Sequence, residues 1–217
     1  MKDDLKILSP RLLLVEGNDE YWFFIQLLQF LGLNQNTQSF DVQVIDIEGR
    51  TKFALSLSLL VKRPDFLQVH AVGFVRDAEE NPANSSYKSM VSAIQKYLPS
   101  FPIPKIGSIA KSGNAACGIF IMPNNTDAGM LEDMCLKSVA AQPLSGYVDS
   151  YVNSALSLLS DADKKKYNTH KARVQTYLAG QVEIVNSLAN AAKKHIWDFS
   201  SPVFSGVSDY VRTLANI

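Results

Sequence analysis

The side chains that most often build soft metal sites are scarce in this chain: its 217 residues include two cysteines and three histidines. Cys117 and Cys135 lie in apolar surroundings with no CxxC spacing and no neighbouring histidine, and His70, His170 and His195 are scattered. A structural or catalytic zinc site is therefore not expected, and both thiols should be buried and free in a reducing compartment. Excess charge is missing too, with 21 basic residues against 21 acidic ones. A domain that lives on non-specific phosphate contacts is usually basic, so neutrality withholds that argument for nucleic acid without excluding it. No run of about 18 apolar residues is present, so no membrane span and no membrane partner are expected. The beginning of the sequence, MKDDLKILSP, carries acids and no apolar h-region, which argues against a signal peptide. The expected location is the cytoplasm.

What is present is a full complement of core residues, 47% of the chain, arranged in alternating strand-like and helix-like stretches. RLLLVEG is a short continuous apolar run, as in a strand buried on both faces. NDEYWFFIQLLQFLGL then carries apolar residues at helical spacing, with Asn18 or Asp19 as its N-cap and acids in its first turn. Its aromatic run, Tyr21 to Phe24, reads as core. FDVQVIDIEG predicts a second strand, TKFALSLSLL a helix that ends before Pro64, and VHAVGFVRDAEE a third strand. SYKSMVSAIQKYLPS is an amphipathic helix, PKIGSIA and ACGIFIMP are two more strands, and MLEDMCLKSVAA opens another helix. This order predicts a Rossmann-like α/β core with a mostly parallel central sheet and helices on both faces. After about Leu144 the pattern becomes helical: GYVDSYVNSALSLLSD, ADKKKYNTHKARVQTYLAG and QVEIVNSLANAAKKHI, then a short helix near Ser208. The expected division is an α/β core over residues 1–143 and a helical extension over 144–217 packed on it.

Function is most legible at the strand ends. In an open parallel sheet, ligands bind at the carboxyl ends of strands near the switch point in strand order. Glu16 directly follows the first strand, and Asp77 and Glu79 close the third. If those strands are neighbours, the three carboxylates converge, and like charges so close raise one another's pKa unless a cation intervenes. Oxygen ligands there suit Mg²⁺, or Mn²⁺ in its place, which can bind phosphate and activate water.

LLLVEGNDE followed by VGFVRDAEE resembles the TOPRIM domain of topoisomerases, primases and related nucleases, which pairs a Glu-Gly after its first strand with a D-x-D after a later one. GIFIMPNNTDAGMLEDMCL is similar to the corresponding part of small stand-alone bacterial TOPRIM-like proteins and to the layout of the OLD-family nucleases. The resemblance covers roughly residues 8 to 140. It implies that Glu16, Asp77 and Glu79 are metal ligands and catalytic acids, with Glu16 able to shuttle a proton. Glu20 and Glu132 match further acids of the OLD-like layout, and Lys171 matches its later lysine. Gly17 would allow a close approach of backbone to phosphate. Glu79 stands where the family has Asp, a departure that puts catalysis in question, because one more methylene displaces the carboxylate.

Competing readings accompany these residues. Acids in a first helical turn, as at Asp19, Glu20, Glu132 and Asp133, are stabilised by the helix dipole without any further role. Arg50 and Lys52, after the second strand, are placed to meet a phosphate or are plain surface charge. Lys171 belongs to a basic helical face that solvent alone would explain, and Arg76 is a natural partner for a nearby acid. Two functions follow: a Mg²⁺-dependent nuclease-type enzyme acting on DNA or RNA, or a non-catalytic module that binds a metal or nucleotide-like ligand. No tyrosine nucleophile can be assigned, so topoisomerase action is unsupported. A second copy of the chain is an expected partner alongside nucleic acid.

Overall fold

The computed structural model describes residues 6–36, 39–81 and 83–217. The apolar run Arg11–Val15 forms β1, and the helix α1 follows at Asn18–Phe30. A small antiparallel pair, β2 (Gln35–Asn36) and β3 (Ser39–Phe40), precedes β4 (Gln43–Asp46) and α2 (Phe53–Leu60). Then come β5 (Ala71–Asp77), α3 (Asn84–Tyr97) and the hairpin of β6 (Ser108–Ser112) with β7 (Ala115–Met122). The rest is helical: α4 (Leu131–Ser138), α5 (Pro143–Ser157), α6 (Asp161–Lys164), α7 (Thr169–Ala179), α8 (Leu188–Lys193) and α9 (Ser205–Ala215).

The five-stranded sheet has the order β4-β1-β5-β7-β6, parallel except for β6 at its edge. From β1 the chain steps out to β4 on one flank and returns to β5 on the other. The strand order therefore reverses between β1 and β5, which lie side by side with Leu14 opposite Phe74. The alternation of strand side chains divides the core in two. Leu13, Val15, Ala71, Val75 and Phe120 face α1, α4 and the helices after Leu144, while Leu12, Leu14, Val72, Phe74 and Ile119 face α2 and α3. The expected α/β architecture with helices on both faces is the one observed.

The later helices share the first of these cores. Tyr177, Trp197, Phe204, Val211 and Leu214 pack in one cluster with Phe23, Phe24 and Leu27 of α1. The α9 helix lies on the sheet where two strand glycines leave room for it: a Cβ on Gly73 would stand 2.6 Å from Leu214, and one on Gly118 would stand 2.8 Å from the Tyr210 hydroxyl. That hydroxyl accepts from the Phe74 amide at 3.1 Å and approaches the Phe74 carbonyl at 3.3 Å.

Two segments differ from expectation. The stretch ADKKKYNTHKARVQTYLAG is two helices, because Asn168 caps a new one by accepting from the Lys171 amide, and Ser160 caps the short α6 before it. In QVEIVNSLANAAKKHI only Leu188–Lys193 is helical, started by Ser187 as its N-cap. Both cysteines are buried and free, and burial pushes the Cys117 thiol up to about 12. No described helix is long and apolar enough to cross a membrane.

Candidate functional site

The carboxyl ends of β1 and β5, where the strand order reverses, collect the acids singled out above. Strand register decides how. Because Leu14 lies opposite Phe74, the next alternate residues, Glu16 and Arg76, also face one another, on the α2 side of the sheet. Arg76 Nε stands 2.5 Å from Glu16 Oε1, with both side chains largely buried and the Arg76 guanidinium 5.7 Å from the centre of the Phe53 ring. The approach is a charge contact rather than an aligned hydrogen bond, and among the described residues Arg76 Nη1 has no hydrogen-bond acceptor.

Asp77, one residue further, turns to the opposite face, toward α1 and α4. It is 8% exposed, and its Oδ1 accepts from the Leu131 amide at the start of α4, at 3.0 Å. Burial pushes its carboxyl well above the ordinary range, and the charges of Glu20, Glu132 and Glu16 push it further in the same direction. Glu20, in the first turn of α1, is raised to about 7, chiefly by burial, then by Glu16, Glu132 and Asp19. Glu132, in the first turn of α4, is raised by burial and by neighbouring acids, and the Lys171 ammonium draws it back. Glu20, Glu132 and Lys171 line one cleft together with Gly17, Asn18 and Leu131. Asp77, Glu20 and Glu132 come from β5, α1 and α4, so the cluster is made by tertiary structure and not by one local motif.

The acids named from sequence thus separate into three groups. Glu20, Asp77 and Glu132 are brought together on the α1–α4 side. Glu16 joins them through its charge while its carboxylate meets Arg76. Glu79 is held differently: it lies beyond the end of β5 and adopts φ 62°. Its amide donates to the Gly129 carbonyl at 2.9 Å, and its carbonyl accepts from the Gly129 amide at 2.8 Å. Gly129 itself sits at φ 137°, where a Cβ would also come within 2.9 Å of Asp133 Oδ2.

The other candidates divide as well. Gly17 is extended at φ −158°, a conformation open to any residue, so the turn does not need glycine. What it leaves is space, since a Cβ there would stand 3.1 Å from Glu20 Oε2. Lys52 pairs with Glu48 at 3.6 Å on the surface. Arg50 opens the turn before α2, and its side chain lies outside the described residues. Lys171, at the start of α7, does face the acidic cleft.

Three polar contacts around the cleft went unread in the sequence. Asp19 does not cap its own helix. Its Oδ1 accepts from the Ala189 amide at 2.9 Å, tying α1 to the N-terminus of α8. Asp133 Oδ2 accepts from the Met130 amide at 2.8 Å, and its Oδ1 meets His170 Nδ1 at 2.5 Å, joining α4 to α7 beside Lys171. For Asp133 a signal existed, an acid at the third position of a helix with a turn before it. The contacts across 37 and 170 residues had none.

Whether this donor set suits a divalent cation can be judged from its charges. Three carboxylates drawn out of water and raising one another are what a hard cation compensates, and oxygen is its preferred ligand. Among the described residues, no three His, Cys, Asp or Glu side chains already stand as a ligand set. The fit is to an ion held by one or two carboxylates and completed by water and phosphate oxygens, the usual manner of Mg²⁺.

Comparison with known proteins places residues 10–216 in one family, described as a protein of unknown function (DUF3226), and the chain belongs to it. No curated protein matches the chain. Among solved structures it is similar to the C-terminal region of the OLD protein of Xanthomonas campestris pv. campestris. A mercury-phased structure of that region shows 12% identity and a TM-score of 0.45, over 97% of this chain and 98% of the other. A platinum-phased structure shows 12% identity and a TM-score of 0.39, over 96% and 94%.

Proposed function

For this member of the DUF3226 family, we propose a TOPRIM-like, Mg²⁺-dependent activity on the phosphodiester bonds of nucleic acid, nuclease-type in its chemistry. The observation that carries it is the convergence of Glu20, Asp77 and Glu132 from three elements at the switch point of a parallel sheet, with Lys171 at the same cleft. Asp77 and Glu132 would hold the ion, which when bound supplies positive charge for a phosphate oxygen and a more acidic water. Lys171 is placed to meet a phosphate. Glu20, raised to about 7, exists in both protonation states near neutrality, as a residue that takes or gives a proton must. Glu16 adds charge to the cluster, and Arg76 orients it. Glu79, bound through its backbone to the Gly129 turn, has the lesser part.

Incubating the protein with single- and double-stranded DNA and RNA in Mg²⁺ or Mn²⁺ tests this. Cleavage should disappear in Asp77→Asn and Glu132→Gln and persist in Glu80→Gln, which changes an exposed acid. Intact substrates throughout would overturn the reading. A second reading, binding of metal or nucleotide without catalysis, is favoured by one observation: the acid matching the family's first motif is engaged by Arg76. Saturable Mg²⁺ binding with every substrate intact would support it.

A further inference from the structure

A second cleft opens beside the acidic one, on the other side of the first turn of α1. It runs along the whole of β4, and its walls include Tyr21, Trp22, Phe40, Asp46 and Glu48. Asn18 lines both clefts, so they meet there. The aromatic run of α1, expected to be core, divides at this point. Phe23 and Phe24 are fully buried, whereas Tyr21 and Trp22 stay partly exposed at the cleft. Their rings meet edge to face with centroids 5.1 Å apart, and Lys193 lies 3.5 Å above the Trp22 ring centre, so both rings are held. At the far wall Asp46 Oδ1 accepts from the Glu48 amide at 2.7 Å, which fixes the carboxylate.

We infer that this aromatic cleft between α1 and β4 is a nucleoside subsite, taking the base and sugar next to the phosphate that the acidic cleft receives. A partly exposed ring such as Tyr21 accepts any base by stacking, while Lys193 covers a face of Trp22. A fixed carboxylate at the end of a strand beside β1 is an acceptor for sugar hydroxyls, the pairing that doubly wound sheets use for ribose. The order of parts along the groove, aromatic walls and hydroxyl acceptor on one side of Asn18, cation-demanding acids and a lysine on the other, matches one nucleotide unit.

The direction of the phosphate rests on the proposed function, but nucleoside binding itself can be measured without it. Adenosine and cytidine, titrated calorimetrically into the full chain with EDTA present, should both bind, and ribose alone should not. Tyr21→Ala should weaken both about tenfold or more, the loss of one stacking wall. Asp46→Asn, a milder change, should erase the preference for adenosine over 2′,3′-dideoxyadenosine while leaving stacking in place. Absence of nucleoside binding, or affinities unchanged in both variants, overturns the inference even if nucleic acid is cleaved. Nucleoside binding with intact nucleic acid in Mg²⁺ and Mn²⁺ upholds the subsite and overturns only the hydrolytic reading.

Discussion

Glu16 and Arg76 form a largely buried pair across the β1–β5 register, 2.5 Å apart, at the point where sequence alone suggested an acid open to a metal. Removing one partner of a buried pair strands the other charge, which costs about 3–5 kcal/mol. Glu16→Gln, which leaves the Arg76 guanidinium buried without its carboxylate, should lower stability to urea by that order. Arg76→Met added to it should restore much of the loss. A double-variant cycle with no coupling between the two changes would refute the pairing.

The acid cluster should make the protein respond to pH in an unusual direction. Glu20 has an ordinary value of 4.5 and is raised to about 7 in the fold. Between those values the folded state binds more protons than the unfolded one, so stability falls as pH rises through that window. Asp77 and Glu132 are raised too and act in the same sense. Glu20→Gln should therefore be more stable than the parent above a pH of about 7, and the advantage should vanish below 4.5. Thermal melts at several pH values measure this, and a parent whose stability climbs across the window contradicts the cluster.

How much of this was readable beforehand follows from what each signal encodes. The continuous apolar runs at Leu12–Val15 and in β5 and β7 announced buried parallel strands, and apolar residues at helical spacing announced most of the longer helices. Alternation tells which residues share a face of a strand; it does not tell which residue lies opposite on the neighbour. That offset decides that Glu16 meets Arg76 while Asp77 turns toward Glu20 and Glu132. Glu79 follows the strand in a left-handed conformation, which at a non-glycine position leaves no mark in composition. Ser160 and Asn168 are ordinary capping residues whose signals were present in the sequence.

A divalent ion should stabilise the protein in step with ionisation of the cluster. A ligand that binds only the folded state adds about 2.7 kcal/mol at one hundred times its Kd. Mg²⁺ should raise the melting temperature above a pH of about 7, where Glu20 is ionised, and lose its effect toward 4.5, where the carboxyls compete for protons. Asp77→Asn should abolish the Mg²⁺ response while leaving a cooperative melt. An equal response in that variant would place the ion elsewhere.

The Tyr210 hydroxyl ties α9 to the backbone of the sheet. Tyr210 is 5% exposed, and its OH accepts from the Phe74 amide and faces the Phe74 carbonyl in the strand next to β1. Its position depends on Gly73 and Gly118, which leave the space that the ring and Leu214 occupy. Tyr210→Phe keeps the packing and deletes the hydroxyl, leaving buried polar groups with a lost partner, at about 1–3 kcal/mol. Gly118→Ala should cost at least as much, because its Cβ would press on both Tyr210 and Ile109, 2.8 Å away. If α9 were a loosely attached appendage, neither change would move the unfolding midpoint. If it completes the core, both should lower it in one cooperative transition that also carries the acid cleft. Equilibrium unfolding of the two variants, followed by fluorescence of buried Trp197, distinguishes these outcomes.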